Sequence, residues 1–115
     1  MYITGGIGST RRYEGFTIPY DLPNDTAFAE TCAAVSLIFF AYRMQQLECN
    51  SDYADTIERT LYNGMLSGIS LDGRSFFYEN PLEINLNNYK RTPASPTPET
   101  YALTQRQEVF RWKYS

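Results

Sequence analysis

Histidine is absent from the sequence. Its absence removes the commonest general base, the commonest metal ligand and every Ser-His or Cys-His nucleophile pair, and leaves carboxylates and thiols as the reactive chemistry at hand. Cysteine is scarce. Cys32 and Cys49 are too few for a disulfide framework, and both fall in a helical pattern. Positive charge is nowhere concentrated: ten Lys and Arg stand against thirteen Asp and Glu, a net charge of −3. The electrostatic footprint of a phosphate-binding surface is therefore missing, and nucleic acid is not an expected partner. Long apolar runs are also lacking. The longest, Ala33 to Ala41 with only Ser36 polar, falls short of the roughly 20 residues a membrane span needs, and Arg43, Gln45 and Gln46 follow it. Met1 is followed by TyrIleThrGlyGly rather than by a basic stretch and an apolar run. No signal peptide is legible, and a cytoplasmic setting is favoured.

What is present begins with aromatics, 16% of the chain. That surplus suits a core first and a carbohydrate-facing surface second. At 115 residues the chain is one domain at most, able to bury roughly two-thirds of its unfolded surface if complete. Residues 25–49 form the one stretch that is at once long, apolar and free of Gly and Pro, and the spacing predicts a helix. Apolar residues surround it on nearly every side, which predicts burial against other protein. Asn24 or Asp25 would cap a helix starting there, and Glu30 and Thr31 are equally good starting points. A second helix is predicted from Asp52 to about Leu66, with Ala54, Ile57, Leu61 and Met65 at helical spacing. Only about three residues separate the two, so they should pair as an antiparallel hairpin over 25–66. Gly64 costs the second helix about 1 kcal/mol relative to Ala and should admit a close neighbour.

Around this hairpin the pattern changes. Residues 1–24 hold Gly5, Gly6, Gly8, Gly15, Pro19 and Pro23 and read as loop. Gly5-Gly6-x-Gly8 lacks the preceding strand and immediate helix of a phosphate cradle. Asn24-Asp25-Thr26 fits a glycosylation acceptor in form alone. Over 67–79, IleSerLeu, Asp72-Gly73 and ArgSerPhePheTyr predict a small β-hairpin closed by a two-residue type I′ turn. Residues 80–115, with Pro81, Pro93, Pro96 and Pro98, read as loop and tail. The fold class expected is mainly α with a small β-hairpin.

The sharpest chemical cluster is Glu30-Thr31-Cys32, with Glu14 on the loop before it. In mid-helix, residues two apart point about 200° away from each other, so Glu30 and Cys32 meet only at a helix N-terminus. There the helix dipole is expected to lower the thiol pKa, and zinc accepts carboxylate and thiolate together. Spacing alone leaves Cys32 open to the plainer reading of a small core residue.

Several longer motifs add to this: TyrIleThrGlyGlyIleGlySer (2–9), Glu14 ahead of TyrAspLeuProAsn (20–24), AlaGluThrCysAlaAla (29–34), LeuTyrAsnGlyMetLeuSerGlyIleSerLeuAspGly (61–73) and PhePheTyrGluAsnProLeuGlu (76–83). In order and in register over 2–83, they resemble glycoside hydrolase family 127, the β-L-arabinofuranosidases. The resemblance implies a partial catalytic domain, a fragment of an (α/α)6 barrel, acting on an arabinofuranoside-type carbohydrate by a retaining mechanism with a zinc-bound cysteine nucleophile. By the same resemblance Glu14 is the acid/base, Glu30 and Cys32 are zinc ligands, and Tyr78 lines the sugar site. The family pattern next has Arg-x-x-Trp-Phe-x before a Cys-x-Cys-Cys-Pro run with the nucleophile and remaining ligands. Here Arg106 to Arg111 reaches that place and Trp112-Lys113-Tyr114-Ser115 stands where the cysteines belong. With the nucleophile and two of four ligands missing, weak or absent zinc binding and no activity of the isolated chain are expected. A different class of reading is a non-catalytic helical module with a structural or sugar-binding role. In either case, Val35, Leu37, Ile38, Phe39 and Phe40 left uncovered would favour a homo-oligomer.

Overall fold

The computed structural model describes residues 1–10 and 14–83. The element order is α1 (Thr31–Leu47), α2 (Ser51–Arg59), a π-helical turn (Thr60–Met65) and a 3₁₀ turn (Leu66–Gly68). The fold is mainly helical, and among the described residues no strand longer than an isolated bridge occurs. The expectations for 84–115, including the proline-rich run and the Arg106–Ser115 segment, lie outside the described residues.

α1 starts at Thr31, the later of the two positions the sequence allowed, with Glu30 extended as its N-cap (φ −61°, ψ 147°). A helix from Asp25 is prevented locally. Ala29 sits at φ +38°, outside the right-handed helical region, and the Phe28 and Ala29 amides are both committed to the Gly8 carbonyl, at 3.0 and 3.3 Å. After α1 the chain reverses within three residues. Asn50 caps α2, its side chain accepting from the Asp52 amide at 2.9 Å, and Asp52 and Arg59 sit at the ends that match their charge to the helix dipole.

The predicted second helix divides into α2 and the π-helical turn. That wider turn carries Thr60 and Gly64, both buried. The Thr60 hydroxyl donates to the Gly5 carbonyl at 3.2 Å. Gly5 holds φ +86°, and a Cβ there would lie 2.6 Å from the Thr60 Cα, so only glycine fits. The close neighbour expected of Gly64 is real: a Cβ on it would meet the Thr4 carbonyl at 3.4 Å and the Ala34 Cβ at 3.6 Å.

The buried face of α1 is narrow and made of small residues, Thr31, Ala34 and Ala41. That stripe lets α2 and the π turn come close, and the N-terminal loop completes the packing with buried Tyr2, Ala27, Phe28 and Ala29. The Tyr2 hydroxyl donates to the Pro23 carbonyl at 2.9 Å and ties the loop to itself. The expectation of a helix buried on every side is corrected here. Phe39 and Phe40 are 65% and 63% exposed, because the described residues supply cover for one side of α1 only.

The hairpin over 67–79 is also corrected. Ile69 and Phe76 form a single antiparallel bridge, and the turn is not type I′. The Gly73 amide bonds the Ser70 carbonyl at 2.9 Å, and Gly73 (φ +68°) is left-handed while Asp72 is not. Asp72 instead turns its carboxylate inward to accept from the Ser70 hydroxyl and, at 3.1 Å, from the Arg74 amide. Its side chain thus competes with the backbone ladder for partners, and the loop between Ser70 and Ser75 widens to four residues.

Candidate functional site

The start of α1 brings three of the four sequence-predicted residues together. Extended backbone at Glu30 and helical backbone from Thr31 turn the two side chains toward each other, and the Cys32 thiol donates to Glu30 Oε2 at 3.2 Å. The Tyr78 hydroxyl also bonds the Glu30 carboxylate. Tyr78 arrives from the other side, because the Thr31 amide bonds the Tyr78 carbonyl at 2.9 Å and Glu30 bridges Glu79. Its ring meets Phe28 edge to face, centroids 6.3 Å apart at 70°.

Glu30 is only 7% exposed, and its second oxygen, Oε1, is buried with no hydrogen-bond partner. An orphaned buried carboxylate oxygen is costly, so it marks a place where a donor or cation would be welcome. Cys32, beside it, is exposed. Glu14 lies on the surface next to the Thr10–Gly15 bridge, at φ +49°. It is not in hydrogen-bonding contact with the cluster, but its charge reaches Tyr78.

The electrostatics differ from the dipole argument. The Cys32 thiol is pushed up from its ordinary value, first by desolvation and then by its bond to Glu30 and that carboxylate's charge. The Ala33 amide and Tyr78 pull the other way and are outweighed. A neighbouring carboxylate that accepts the thiol proton is closer than the helix dipole, and it wins. The Tyr78 hydroxyl is raised further, chiefly by its bond to Glu30, then by desolvation and by the charges of Glu30, Cys32 and Glu14. As it stands the cluster stores protons rather than thiolate.

Among the described residues no group of three or more His, Cys, Asp or Glu gathers around a common point, so Glu30 and Cys32 are a pair of candidate ligands. Sequence reasoning gave no role to Phe28, Thr31 or Asn80, which touch this cluster or its backbone. All but Phe28 fall within the motifs 29–34 and 76–83, and those motifs were the available signal.

A family profile described as "Beta-L-arabinofuranosidase, GH127 catalytic domain" matches residues 1–108. The curated non-reducing end beta-L-arabinofuranosidase of Bifidobacterium longum subsp. longum is 54% identical over 83 residues, which is 72% of this chain and 13% of that protein. A solved GH127 beta-arabinofuranosidase superposes with a TM-score of 0.69 at 54% identity, over 71% of this chain and 13% of its own. The GH127 beta-L-arabinofuranosidase of Geobacillus stearothermophilus gives a TM-score of 0.75 at 45% identity, over 92% of this chain and 19% of its own. The chain thus spans less than one fifth of the length of each of these three relatives.

Proposed function

The chain belongs to the GH127 β-L-arabinofuranosidase catalytic-domain family, and from that premise we propose that it carries one part of an arabinofuranosidase site. The carrying observation is the contact of Glu30, Cys32 and Tyr78 at the start of α1. In this reading α1 and α2 are one helical hairpin of an (α/α)6 barrel, and the substrate is a β-L-arabinofuranoside.

The roles follow from the chemistry of each group. A retaining glycosidase needs an acid/base and a nucleophile on opposite sides of the anomeric carbon. Glu14, exposed and within electrostatic reach of Tyr78, is the acid/base that protonates the leaving oxygen and then accepts a proton from water. Tyr78, protonated at neutral pH as tyrosines ordinarily are, donates a hydrogen bond to the sugar or to Glu30. Glu30 and Cys32 fit half of a zinc site, since the unpartnered Oε1 and the adjacent Sγ are the oxygen and sulfur donors that zinc takes together. Zinc when bound would supply a positive charge that favours thiolate over thiol. The chain's only other cysteine, Cys49, stands beyond the far end of α1. At about 1.5 Å rise per residue this places it roughly 25 Å from Cys32, too far to act as nucleophile at the same carbon.

We therefore expect the isolated chain not to hydrolyse β-L-arabinofuranosides above background, with or without zinc. Turnover that disappears in Glu14→Gln would overturn the inactive reading. Loss of arabinofuranoside binding in Tyr78→Phe, measured by calorimetry, would support the site.

A second reading rests on a separate observation, the exposed Phe39, Phe40, Tyr42 and Leu47 on α1. At roughly 25 cal/mol per Å² of apolar area, such a face favours cover by a second copy, and the isolated chain would act as a self-associating module with a structural or sugar-binding role. Scattering that gives a 13.3 kDa monomer at micromolar concentration would contradict it.

A further inference from the structure

Glu30 makes no side-chain capping bond to the first turn of α1. The start of this helix is held from outside, through Thr31 and Asn80. The Thr31 hydroxyl donates to the Phe77 carbonyl at 2.6 Å, beside the 2.9 Å bond from its amide to the Tyr78 carbonyl. Asn80 Nδ2 donates to Thr31 Oγ1 at 3.0 Å and to the Ala29 carbonyl at 3.3 Å, and the Asn80 amide bonds the same carbonyl at 3.2 Å. Gly68 closes the arrangement from below. Its carbonyl accepts the Phe77 amide at 2.8 Å, and a Cβ on it would come within 3.0 Å of Asn80 Oδ1 and 3.4 Å of Thr31 Oγ1.

The placement matters because Thr31 lies between Glu30 and Cys32 and grips the peptide that carries Tyr78. Any slip of the 29–31 backbone against 77–80 would move all three side chains relative to one another. A threonine at the first helical position more often turns its hydroxyl to the helix's own end or to water. This one is buried and bridges segments 46 and 49 residues away. We propose that Thr31 and Asn80 are positioning residues, a latch of one buried and one half-buried side chain that sets the Glu30 carboxylate, the Cys32 thiol and the Tyr78 hydroxyl at hydrogen-bonding distance. The inference rests on the proposed role of those three side chains, and it extends that role to two residues that touch no substrate or metal.

The test uses the 115-residue chain in a Cys49→Ser background, so that Cys32 is the single thiol. The rate of Cys32 alkylation by iodoacetamide is followed by mass spectrometry at one pH in the parent, Thr31→Val, Thr31→Ser, Asn80→Ala and Gly68→Ala, each with and without Glu30→Gln. The Cys32 thiol is tied to Glu30 Oε2 by a 3.2 Å hydrogen bond, so removal of that carboxylate, or release of the latch that holds it in place, frees the sulfur and should raise the rate by about threefold to tenfold. Thr31→Val and Asn80→Ala should match Glu30→Gln, and neither should add to it in the double variant. Thr31→Ser, which keeps the hydroxyl, should stay at the parent rate. A latch that served only fold stability would lower the melting temperature and leave the rate in the folded chain unchanged, or change it additively with Glu30→Gln; either result overturns the proposal. Should Thr31→Val lose its helical circular dichroism, Gly68→Ala decides, because its methyl displaces Asn80 without removing a hydrogen-bonding group. A parent rate there overturns the latch, and a raised, non-additive rate supports it. No zinc enters the assay. Zinc binding that survives both Glu30→Gln and Cys32→Ala, together with non-additive rates, keeps the latch and loses the metal reading, whereas zinc binding through Cys32 with unchanged rates does the reverse.

Discussion

The two halves of α1 are treated in opposite ways by the rest of the chain. At its start, Thr31 bonds Phe77, Tyr78 and Asn80, and Glu30 bonds Cys32 and Tyr78, so that segments far apart in sequence converge on three residues. From Phe39 onward only Ala41 is buried, and Phe39, Phe40, Tyr42 and Leu47 face outward. A polar end names its partners through directional bonds that few sequences can make. An apolar face states only that something covers it, and any apolar surface of fitting shape will serve. The helix is therefore specified at one end and left unfinished by the described residues at the other.

The sharpest way to break the specified half is to crowd what supports it. Gly5→Ala should destabilise the chain by about 2–4 kcal/mol, since a Cβ 2.6 Å from the Thr60 Cα must shift backbone and the residue must also hold φ +86°. Gly73→Ala is the control. It too has positive φ, but nothing lies within 4 Å of its Cβ, so about 1 kcal/mol is expected. Urea denaturation followed by circular dichroism measures both, and equal costs would mean that the Gly5–Thr60 approach is not part of the fold.

Legibility in the sequence followed the same division. The helical hairpin and the close neighbour of Gly64 were readable, because spacing and glycine each act within a few residues, whereas the sequence left the start of α1 open between Asn24 or Asp25 and Glu30 or Thr31. The π-helical turn was not. It depends on the Gly5 carbonyl meeting Thr60, 55 residues apart. The hairpin turn was misread because Asp72 binds Ser70 and Arg74 with its side chain, and a dipeptide signature takes no account of that competition. Of the site, motif resemblance named Glu14, Glu30, Cys32 and Tyr78. The rise in the Cys32 pKa was missed because the helix dipole was weighed without the Glu30 carboxylate beside it.

A second, smaller effect should appear at alkaline pH. In the folded chain desolvation and the Glu30 carboxylate hold the Cys32 thiol above its ordinary value, and the bond to Glu30 holds the Tyr78 hydroxyl above its own. Between the unfolded and folded values the folded state binds more protons, so their contribution is fully present below pH 9 and is lost as pH rises through the folded values. The melting temperature should fall above pH 9, and Tyr78→Phe should flatten that fall. An identical slope in both proteins would separate Tyr78 from the Glu30 carboxylate.

The unfinished half should respond least in fold stability and most in assembly. Phe39→Ser and Phe40→Ser are expected to change unfolding free energy by no more than about 0.5 kcal/mol per protomer in a monomeric state. They should shift the chain toward monomer in sedimentation velocity. Destabilisation comparable to Gly5→Ala would mean that this face is packed within the chain.

The proposed zinc half-site of Glu30 and Cys32 is tested most directly by zinc titration, followed by calorimetry, in the Cys49→Ser background. Four ligands of this kind bind zinc with about 10–16 kcal/mol in small peptides, and two should give far less. Weak or absent binding is expected, and any weak binding should disappear in both Glu30→Gln and Cys32→Ala. Tight one-to-one binding would contradict the half-site, and weak binding that survives both substitutions would contradict the site itself.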